Sequence, residues 1–269
     1  MTALVTASVC PLLSRPAADG SLTDEALLGF AVECLETGGD FVRVRTHYRY
    51  EGWAPWACLT TQGVEDWIAR PKRVALGKNL CDALARPDFD SLTLARLPRG
   101  AVVALEGEPE SGWQAVLLPN GQKAYTRSSN LSEYYENPPA LPEEDLRRRL
   151  TDTAKLYLGT AYRWGGKTPL GIDCSGLVSM AYLLNGIRIY RDSKPLEGFP
   201  IRPIPREKVK PGDLLYFPGH VAMALEQGDI IHSTGFAGAD GVTVQSLRPG
   251  APGYREDLDR SLLTAGTYF

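Results

Sequence analysis

The sequence of 269 residues lacks the features that mark several broad classes of protein. It has no excess of basic residues, because 29 Lys and Arg stand against 32 Asp and Glu, and this balance argues against a nucleic-acid partner. It has no apolar run near the roughly 20 residues of a membrane-spanning helix, and its longest interior run lies around Gly176–Leu184. With 43% hydrophobic and 23% charged residues, it also lacks the composition of a disordered chain. The sequence therefore predicts a folded protein without a nucleic-acid or membrane partner.

The N-terminal segment lacks the pattern of a secretory signal, which needs a basic stretch followed by an unbroken apolar core. No Lys or Arg precedes Arg15, polar residues interrupt the apolar run, and Pro11 ends it. Cys10 follows Val9, where a lipoprotein site needs a small residue. We therefore expect Met1–Leu13 to form a strand and the protein to be cytoplasmic.

Cysteine is scarce, and its spacing fits neither a metal site nor a disulfide framework. The five cysteines form no CxxC pair; they are Cys10, Cys34, Cys58, Cys81 and Cys174. An odd number without metal-ligand spacing is typical of free thiols in a reducing compartment, where they pack as small apolar residues. This interpretation applies to the first four cysteines. We expect no metal and no cofactor.

The first half of the chain contains short strand patterns separated by turns. Phe41–Arg45 alternates apolar and basic residues after a Gly-Gly-Asp turn, which is typical of a half-buried strand. The Asn120-Gly121 pair is a strong hairpin signal between two further strand patterns. We predict two related small β-barrels, the first with its connector over residues 1–74 and the second over 75–137. A short helix is expected in the connector, around Val64–Ala69.

The composition changes after the proline-rich segment Asn137–Pro142, which we interpret as a linker. Helical periodicity follows in Glu143–Leu158, and a second helix is predicted over Ser175–Leu184. Four strands are predicted in the remaining chain: Leu214–Phe217, Val221–Leu225, Ile230–His232 and Val242–Gln245. Helices followed by strands indicate an α+β domain over residues 138–269.

Cys174 differs from the other cysteines because it stands at a predicted loop-to-helix junction. A helix N-terminus favours negative charge, and so we expect it to lower the pKa of the thiol. The exposed N–H groups of the first turn can also stabilise an oxyanion. These properties suit a nucleophile, although an inert cysteine capping the helix core fits the position equally well.

The chain has three histidines, and two of them fall on adjacent predicted strands. His220 and His232 are 12 residues apart and flank a predicted turn, so their imidazoles can meet on one face of a sheet. One would then act as a base for Cys174 and the other would orient it. Two unrelated surface histidines, or a zinc site with Cys174, are the alternatives, although no fourth zinc ligand is evident. His47 is expected at the surface.

Five motifs in this order make the chain resemble the NlpC/p60 family, papain-like cysteine peptidases that act on bacterial cell-wall peptides. The motifs are Tyr162–Gly166, Gly171–Val178, Lys210–Leu214, Gly219–Val221 and Ile231–Ser233. The match spans residues 142–269. The resemblance implies a papain-like fold for the α+β domain.

The resemblance also implies a role for each matching residue. Cys174 matches the nucleophile, His220 the base and His232 the orienting residue. Three further residues match oxyanion- or substrate-binding positions: Tyr162, Asp173 and Ser175. Simpler roles remain open, because Tyr162 can be a packing residue and Asp173 can be the N-cap of the helix.

The two predicted barrels resemble bacterial SH3-like domains, and the domain order resembles the dipeptidyl-peptidase VI type within this family. That type cleaves the γ-D-glutamyl–diamino acid bond of short murein peptides with a free N-terminal L-Ala, in cell-wall recycling. The resemblance implies that the first barrel binds the free amine, for which Glu25 and Tyr50 are the candidates. We expect the protein to be a monomer. The alternatives are an exported hydrolase with wall-binding barrels, a binding module with a catalytically inactive cleft, and an acyltransferase.

Overall fold

The computed structural model describes residues 1–269, which divide into two compact units, residues 1–134 and 135–269. None of its helices is both long enough and apolar enough to cross a membrane.

The first unit contains two seven-stranded antiparallel sheets, of which the first is built from residues 2–60. Its strands are β1 (Thr2–Val5), β2 (Val9–Leu13), β3 (Leu22–Leu27), β4 (Ala31–Gly38), β5 (Phe41–Thr46), β6 (Glu51–Pro55) and β7 (Leu59–Thr60). They pair in the order β3-β2-β6-β5-β4-β1-β7. Alternate residues of β5 are buried, as its alternating sequence predicts.

Helix α1 (Val64–Ala69) links this sheet to the second one, where the sequence predicted a helix. The second sheet contains β8 (Lys72–Ala75), β9 (Leu80–Leu84), β10 (Thr93–Pro98), β11 (Val102–Leu105), β12 (Trp113–Leu117), β13 (Lys123–Arg127) and β14 (Leu131–Glu133). Their order is β10-β9-β13-β12-β11-β8-β14, which repeats the order of the first sheet strand for strand. This shared topology agrees with the predicted relationship between the two segments.

The two sheets of the first unit pack through the turn between β3 and β4. Leu28 is buried in the apolar core of the second sheet, and its carbonyl oxygen accepts a hydrogen bond from the N–H of Val102 (2.8 Å). Gly29 follows with φ of 82°, and a Cβ there would lie 2.0 Å from the carbonyl oxygen of Val102. Only glycine allows both this backbone conformation and this close approach.

The second unit is an α+β domain, as predicted. Its helices are α2 (Glu143–Lys155), α3 (Cys174–Leu183) and α4 (Glu256–Ser261). Its strands are β15 (Lys167–Thr168), β16 (Gly171–Ile172), β17 (Arg202–Ile204), β18 (Leu214–Phe217), β19 (His220–Ala224), β20 (Asp229–Thr234), β21 (Gly241–Ser246) and β22 (Thr264–Thr267). β15 and β16 form a hairpin, and the others form an antiparallel sheet in the order β17-β22-β18-β19-β20-β21.

Helix α3 is the central helix of this domain, and nine of its ten residues are buried. Small and apolar side chains occupy every side of the helix, which is the pattern of a helix enclosed by the core. It packs against β19 and β20. The first residue of α3 is therefore held beside the middle strands of the sheet.

Candidate active site

Cys174 is the first residue of α3, and the helix begins there because Asp173 caps it. The Oδ1 atom of Asp173 accepts a hydrogen bond from the N–H of Gly176 (2.6 Å), which satisfies a donor that the helix cannot pair. The Sγ atom accepts hydrogen bonds from the backbone N–H groups of Val221 and Ser175. The contact with Val221 places the thiol beside the start of β19, the strand whose first residue is His220.

The surroundings of Cys174 raise the pKa of its thiol to about 11, so the expected lowering is wrong. Burial is the largest cause, and the negative charge of Asp173 adds to it. The two backbone N–H groups and Arg191 act in the opposite direction but do not outweigh burial. Cys174 is therefore a neutral thiol at pH 7 in the absence of substrate.

His220 and His232 touch each other, as their spacing predicted. They lie on the neighbouring antiparallel strands β19 and β20, where Met223 pairs with Ile231 and Ala224 with Ile230. Nε2 of His220 is 2.8 Å from Nδ1 of His232, and the ring planes cross at 73°.

Both imidazoles are neutral at pH 7. Burial lowers the pKa of His220 to about 3, with a further contribution from His232. Burial also lowers the pKa of His232 to about 4. A neutral thiol next to a neutral imidazole can react by passing its proton to the ring as the sulfur attacks.

The hydrogen bonds continue from His232 to the next strand. Nε2 of His232 is 2.8 Å from Oε1 of Gln245 in β21. The same oxygen accepts a hydrogen bond from Nη1 of Arg255 (2.8 Å), and Arg255 pairs with Asp257. The side chains of His220, His232 and Gln245 thus form a continuous row across three strands.

The two carboxylate oxygens of Asp173 are occupied by donors from within the domain. Oδ1 accepts from Gly176 and from Nη1 of Arg191 (2.9 Å), and Oδ2 accepts from Gly165 (2.7 Å) and from Nη2 of Arg191 (3.2 Å). Nη1 of Arg191 also donates to Oγ of Ser175 (2.6 Å). The N-cap role that the sequence left open for Asp173 is thus observed, and Arg191 holds both residues that flank the thiol.

Tyr162 lies next to the segment that precedes α3. Its backbone forms a bridge to Ile172, and its ring packs against Gly235 at the end of β20. Burial raises the pKa of its phenol to about 12, and the nearby Cys174 and Asp173 add to this effect. The phenol is therefore a permanent hydrogen-bond donor near the thiol.

Comparison with known proteins places this geometry in a family. A model of the NlpC/P60 family matches residues 159–255, which include all of the residues just described except Asp257. Dipeptidyl-peptidase 6 from Lysinibacillus sphaericus is 38% identical over the full length of both chains. The chain belongs to the NlpC/P60 family.

Two further relatives extend the similarity of this NlpC/P60 protein. A γ-D-glutamyl-L-lysine dipeptidyl-peptidase from Bacillus cereus is 33% identical over 79% of this chain and 67% of its own length. The crystal structure of an NlpC/P60 family protein, also from Bacillus cereus, superposes with a TM-score of 0.81 at 26% identity, covering 100% of this chain and 99% of the other. The NlpC/P60 family consists of cysteine peptidases, so the protein is a hydrolase of this class.

The NlpC/P60 site brings together six of the eight predicted site residues within the second unit: Tyr162, Asp173, Cys174, Ser175, His220 and His232. Sequence reasoning missed Arg191, Gln245 and Arg255. The bare sequence carries no signal for them, because they come from positions 17 to 81 residues after Cys174 and meet the site only through the fold.

The other two predicted site residues, Glu25 and Tyr50, lie in the first unit. Glu25 is buried in β3, and its backbone carbonyl accepts a hydrogen bond from the phenol of Tyr48 (3.3 Å). Tyr50 is half-buried, and its backbone N–H donates to Oγ1 of Thr46 (3.0 Å). Their proposed role in binding an amine stays a prediction. His47, expected at the surface, is half-buried with its ring edge-on to Phe30.

Two glycines allow the nucleophile loop to approach α3 closely. A Cβ on Gly176 would lie 2.2 Å from the carbonyl oxygen of Gly166, and a Cβ on Gly166 would lie 2.4 Å from the carbonyl oxygen of Gly171. Backbone atoms cannot move aside as a flexible side chain can, so both positions require glycine. These contacts fix the distance between the Tyr162–Gly166 loop and the helix that carries Cys174.

The raised pKa of Cys174 makes a testable prediction about its reactivity. Because only the thiolate is alkylated and the pKa is about 11, the thiolate fraction grows about tenfold for each pH unit below that value. We expect the rate of carboxamidomethylation of Cys174 by iodoacetamide to rise about a hundredfold from pH 6 to pH 8. Mass spectrometry of the Cys174 peptide at timed intervals measures this rate. A rate that is constant between pH 5 and pH 9 would show a preformed thiolate–imidazolium pair instead.

Proposed function

We propose that this NlpC/P60 protein is an endopeptidase that hydrolyses the γ-D-glutamyl–diamino acid bond of short murein peptides. The observation that carries the proposal is the proximity of three groups: the Sγ atom of Cys174 contacts the backbone of Val221, the residue after His220, and His220 is hydrogen-bonded to His232. The names of two relatives, dipeptidyl-peptidase 6 and γ-D-glutamyl-L-lysine dipeptidyl-peptidase, support this bond as the one cleaved.

The first chemical step is the attack of Cys174 on the γ-carbonyl carbon of D-glutamate. Nε2 of His220 faces His232, so Nδ1 is the ring nitrogen that can take the proton of the thiol. As the S–C bond forms, the π electrons of the carbonyl move onto oxygen. The N–H groups at the start of α3 and the phenol of Tyr162 are suited to stabilise this oxyanion.

The second step releases the amine, and the third restores the enzyme. The oxyanion collapses, the C–N bond breaks, and His220 gives its proton to the departing α-amine of the diamino acid, which leaves a thioester on Cys174. Water then attacks the thioester while His220 takes a proton from it. Collapse of the second oxyanion expels the Cys174 sulfur, which recovers the proton from His220.

The proposal has three further parts. The enzyme selects peptides with a free N-terminal L-Ala, and Glu25 and Tyr50 bind the amine of that residue. The two N-terminal sheets are SH3-like domains. The repeated strand order of those sheets supports two copies of one domain type. Five free thiols support a reducing compartment, and hence peptide recycling in the cytoplasm. A cytoplasmic location implies that the substrates are short soluble peptides and not the intact cell wall.

The substrate proposal is tested by comparing L-Ala-γ-D-Glu-diaminopimelate with its N-acetylated form. We expect the free peptide to be cleaved to L-Ala-D-Glu and diaminopimelate, and acetylation to reduce kcat/KM by at least about 100-fold, since it removes the charge that a buried carboxylate would pair. Chromatography with mass detection follows both products. The α-linked isomer of the free peptide is the control for linkage. Equal rates on the free and acetylated peptides would contradict the amine-binding part, and cleavage of the α-linked isomer alone would contradict the γ-glutamyl part.

A further inference from the structure

The side-chain amide of Gln245 lies between His232 and a charged residue that fixes its orientation. The atom of Gln245 that faces His232 at 2.8 Å also receives Nη1 of Arg255 at 2.8 Å. A guanidinium group has only donors, so the atom that meets it is the carbonyl oxygen Oε1 and not the amide nitrogen. The position of Arg255 thus determines that His232 meets the oxygen of the amide and not its nitrogen.

This orientation determines the protonation of each ring nitrogen in turn. Because Oε1 of Gln245 can only accept, Nε2 of His232 carries a proton, and its neutral ring then has a lone pair on Nδ1. Nε2 of His220 lies 2.8 Å from that lone pair and therefore donates. The remaining nitrogen of His220, Nδ1, is left unprotonated, which is the state that a base for Cys174 needs.

We infer that Gln245, held by Arg255, is a positioning residue that sets the tautomers of both histidines, so that His220 presents an unprotonated nitrogen to the thiol. This inference rests on the proposed function, in which His220 is the base that takes the proton of Cys174. It goes beyond that function in assigning the orientation of the catalytic pair to a side chain on a third strand and to a cation behind it.

Arg255 is itself held by several contacts, which keep its guanidinium next to Gln245. Its Nε and Nη2 atoms donate to the two carboxylate oxygens of Asp257 (2.8 and 2.6 Å). Its backbone N–H donates to the carbonyl of Ser246 (2.8 Å), next to Gln245 in β21, and its guanidinium lies 4.3 Å from the ring centre of Phe236. The bidentate pair with Asp257 leaves Nη1 directed at Gln245.

The choice of an amide at this position has a physical reason. A carboxylate would also accept from His232, but its charge would favour a proton on both nitrogens of that ring. The amide accepts the same hydrogen bond without a net charge. Gln245, oriented by Arg255, therefore accepts from Nε2 of His232 without drawing the proton of His220 toward His232.

The tautomers can be measured without any substrate, because the chain has only three histidines. Long-range ¹H–¹⁵N correlation spectra distinguish protonated from unprotonated ring nitrogens. At pH 7 we expect both His220 and His232 to carry their proton on Nε2. In Gln245→Leu, which removes the acceptor, we expect the Nδ1-protonated form of His232 to appear. Unchanged tautomers in that variant, or an Nδ1 proton on His220 in the unaltered protein, would overturn the inference.

The kinetic arm compares two substitutions of Gln245 on L-Ala-γ-D-Glu-diaminopimelate. We expect Gln245→Leu to lower kcat about 10- to 100-fold with KM within a factor of two, since substrate contacts are unaltered. Gln245→Glu keeps an acceptor for both donors, but its charge favours a second proton on His232, so kcat should stay low although His232 keeps its proton on Nε2. Val244→Thr, on the exposed face of the same strand, is the matched control and should retain full activity. An unchanged kcat in Gln245→Leu, or full activity in Gln245→Glu, would overturn the inference, whereas an inactive unaltered protein would refute only the proposed function.

Discussion

Replacement of Cys174 by alanine is expected to lower kcat/KM on L-Ala-γ-D-Glu-diaminopimelate by at least about 10³-fold, because it removes the atom that forms the covalent intermediate. Folding should be preserved, since Cys174 is held by backbone groups and its side chain makes no ion pair. The helix keeps its cap through Asp173 and Gly176. Initial rates over a range of substrate concentrations, with thermal unfolding measured alongside, check both parts of this prediction.

The matched control is Cys34→Ala, which changes a half-buried thiol in β4 of the first unit and should leave the rate within a factor of two. His220→Ala should cost nearly as much as Cys174→Ala, and the double variant little more than either one. Residues that act as one unit show this non-additivity, because removing either partner stops the same reaction. An alanine variant at Cys174 with a tenth of the original activity would refute the assignment of the nucleophile.

Much of the second unit could be predicted from the sequence, because its elements have strong local signals. The run Leu214–Phe217 forms β18 with the predicted bounds, and the predicted strand at Val221–Leu225 is shifted by one residue to His220–Ala224. The predicted helix at Glu143–Leu158 ends earlier, at Lys155. Helix ends are set by capping contacts with the rest of the fold, which a local pattern does not contain.

The contact between the two histidines was predictable for a different reason. A separation of 12 residues across a short turn limits His220 and His232 to neighbouring antiparallel strands, and the period of two then limits the faces they occupy. Gln245 reaches the same row from β21, and nothing local distinguishes it from other polar strand residues. Its role depends on Arg255, whose position follows from tertiary structure alone.

The pKa of Cys174 shows where local reasoning about a site fails. The sequence correctly predicts a helix N-terminus at this residue, and such a terminus favours a thiolate. It does not show that the thiol is almost fully buried or that the carboxylate of Asp173 is adjacent, and both raise the pKa. Burial and the neighbouring charge together outweigh the backbone donors.

Replacement of Arg191 by methionine is expected to lower the free energy of unfolding of the second unit by about 3–5 kcal/mol, since it leaves a buried carboxylate without its cation. The side chain of Arg191 is only 1% exposed and that of Asp173 only 9%, so water cannot take over the role of the guanidinium. Arg191 also donates to Ser175 and to the carbonyl of Gly166. Its loss therefore loosens both segments that flank Cys174, and activity should fall with stability.

A double-mutant cycle separates the ion pair from the general cost of changing a core residue. Asp173→Asn keeps an acceptor for the N–H of Gly176 but removes the charge, so Arg191→Met combined with Asp173→Asn should be more stable than the sum of the single losses by at least about 1 kcal/mol. Arg148→Met is the matched control, because Arg148 pairs with Asp145 on the exposed face of α2 and its loss should cost no more than about 0.5 kcal/mol. Urea unfolding monitored by fluorescence gives the free energy of unfolding of the two single variants, the double variant and the control. If Arg191→Met proves as mild as Arg148→Met, the buried pair does not hold the nucleophile loop.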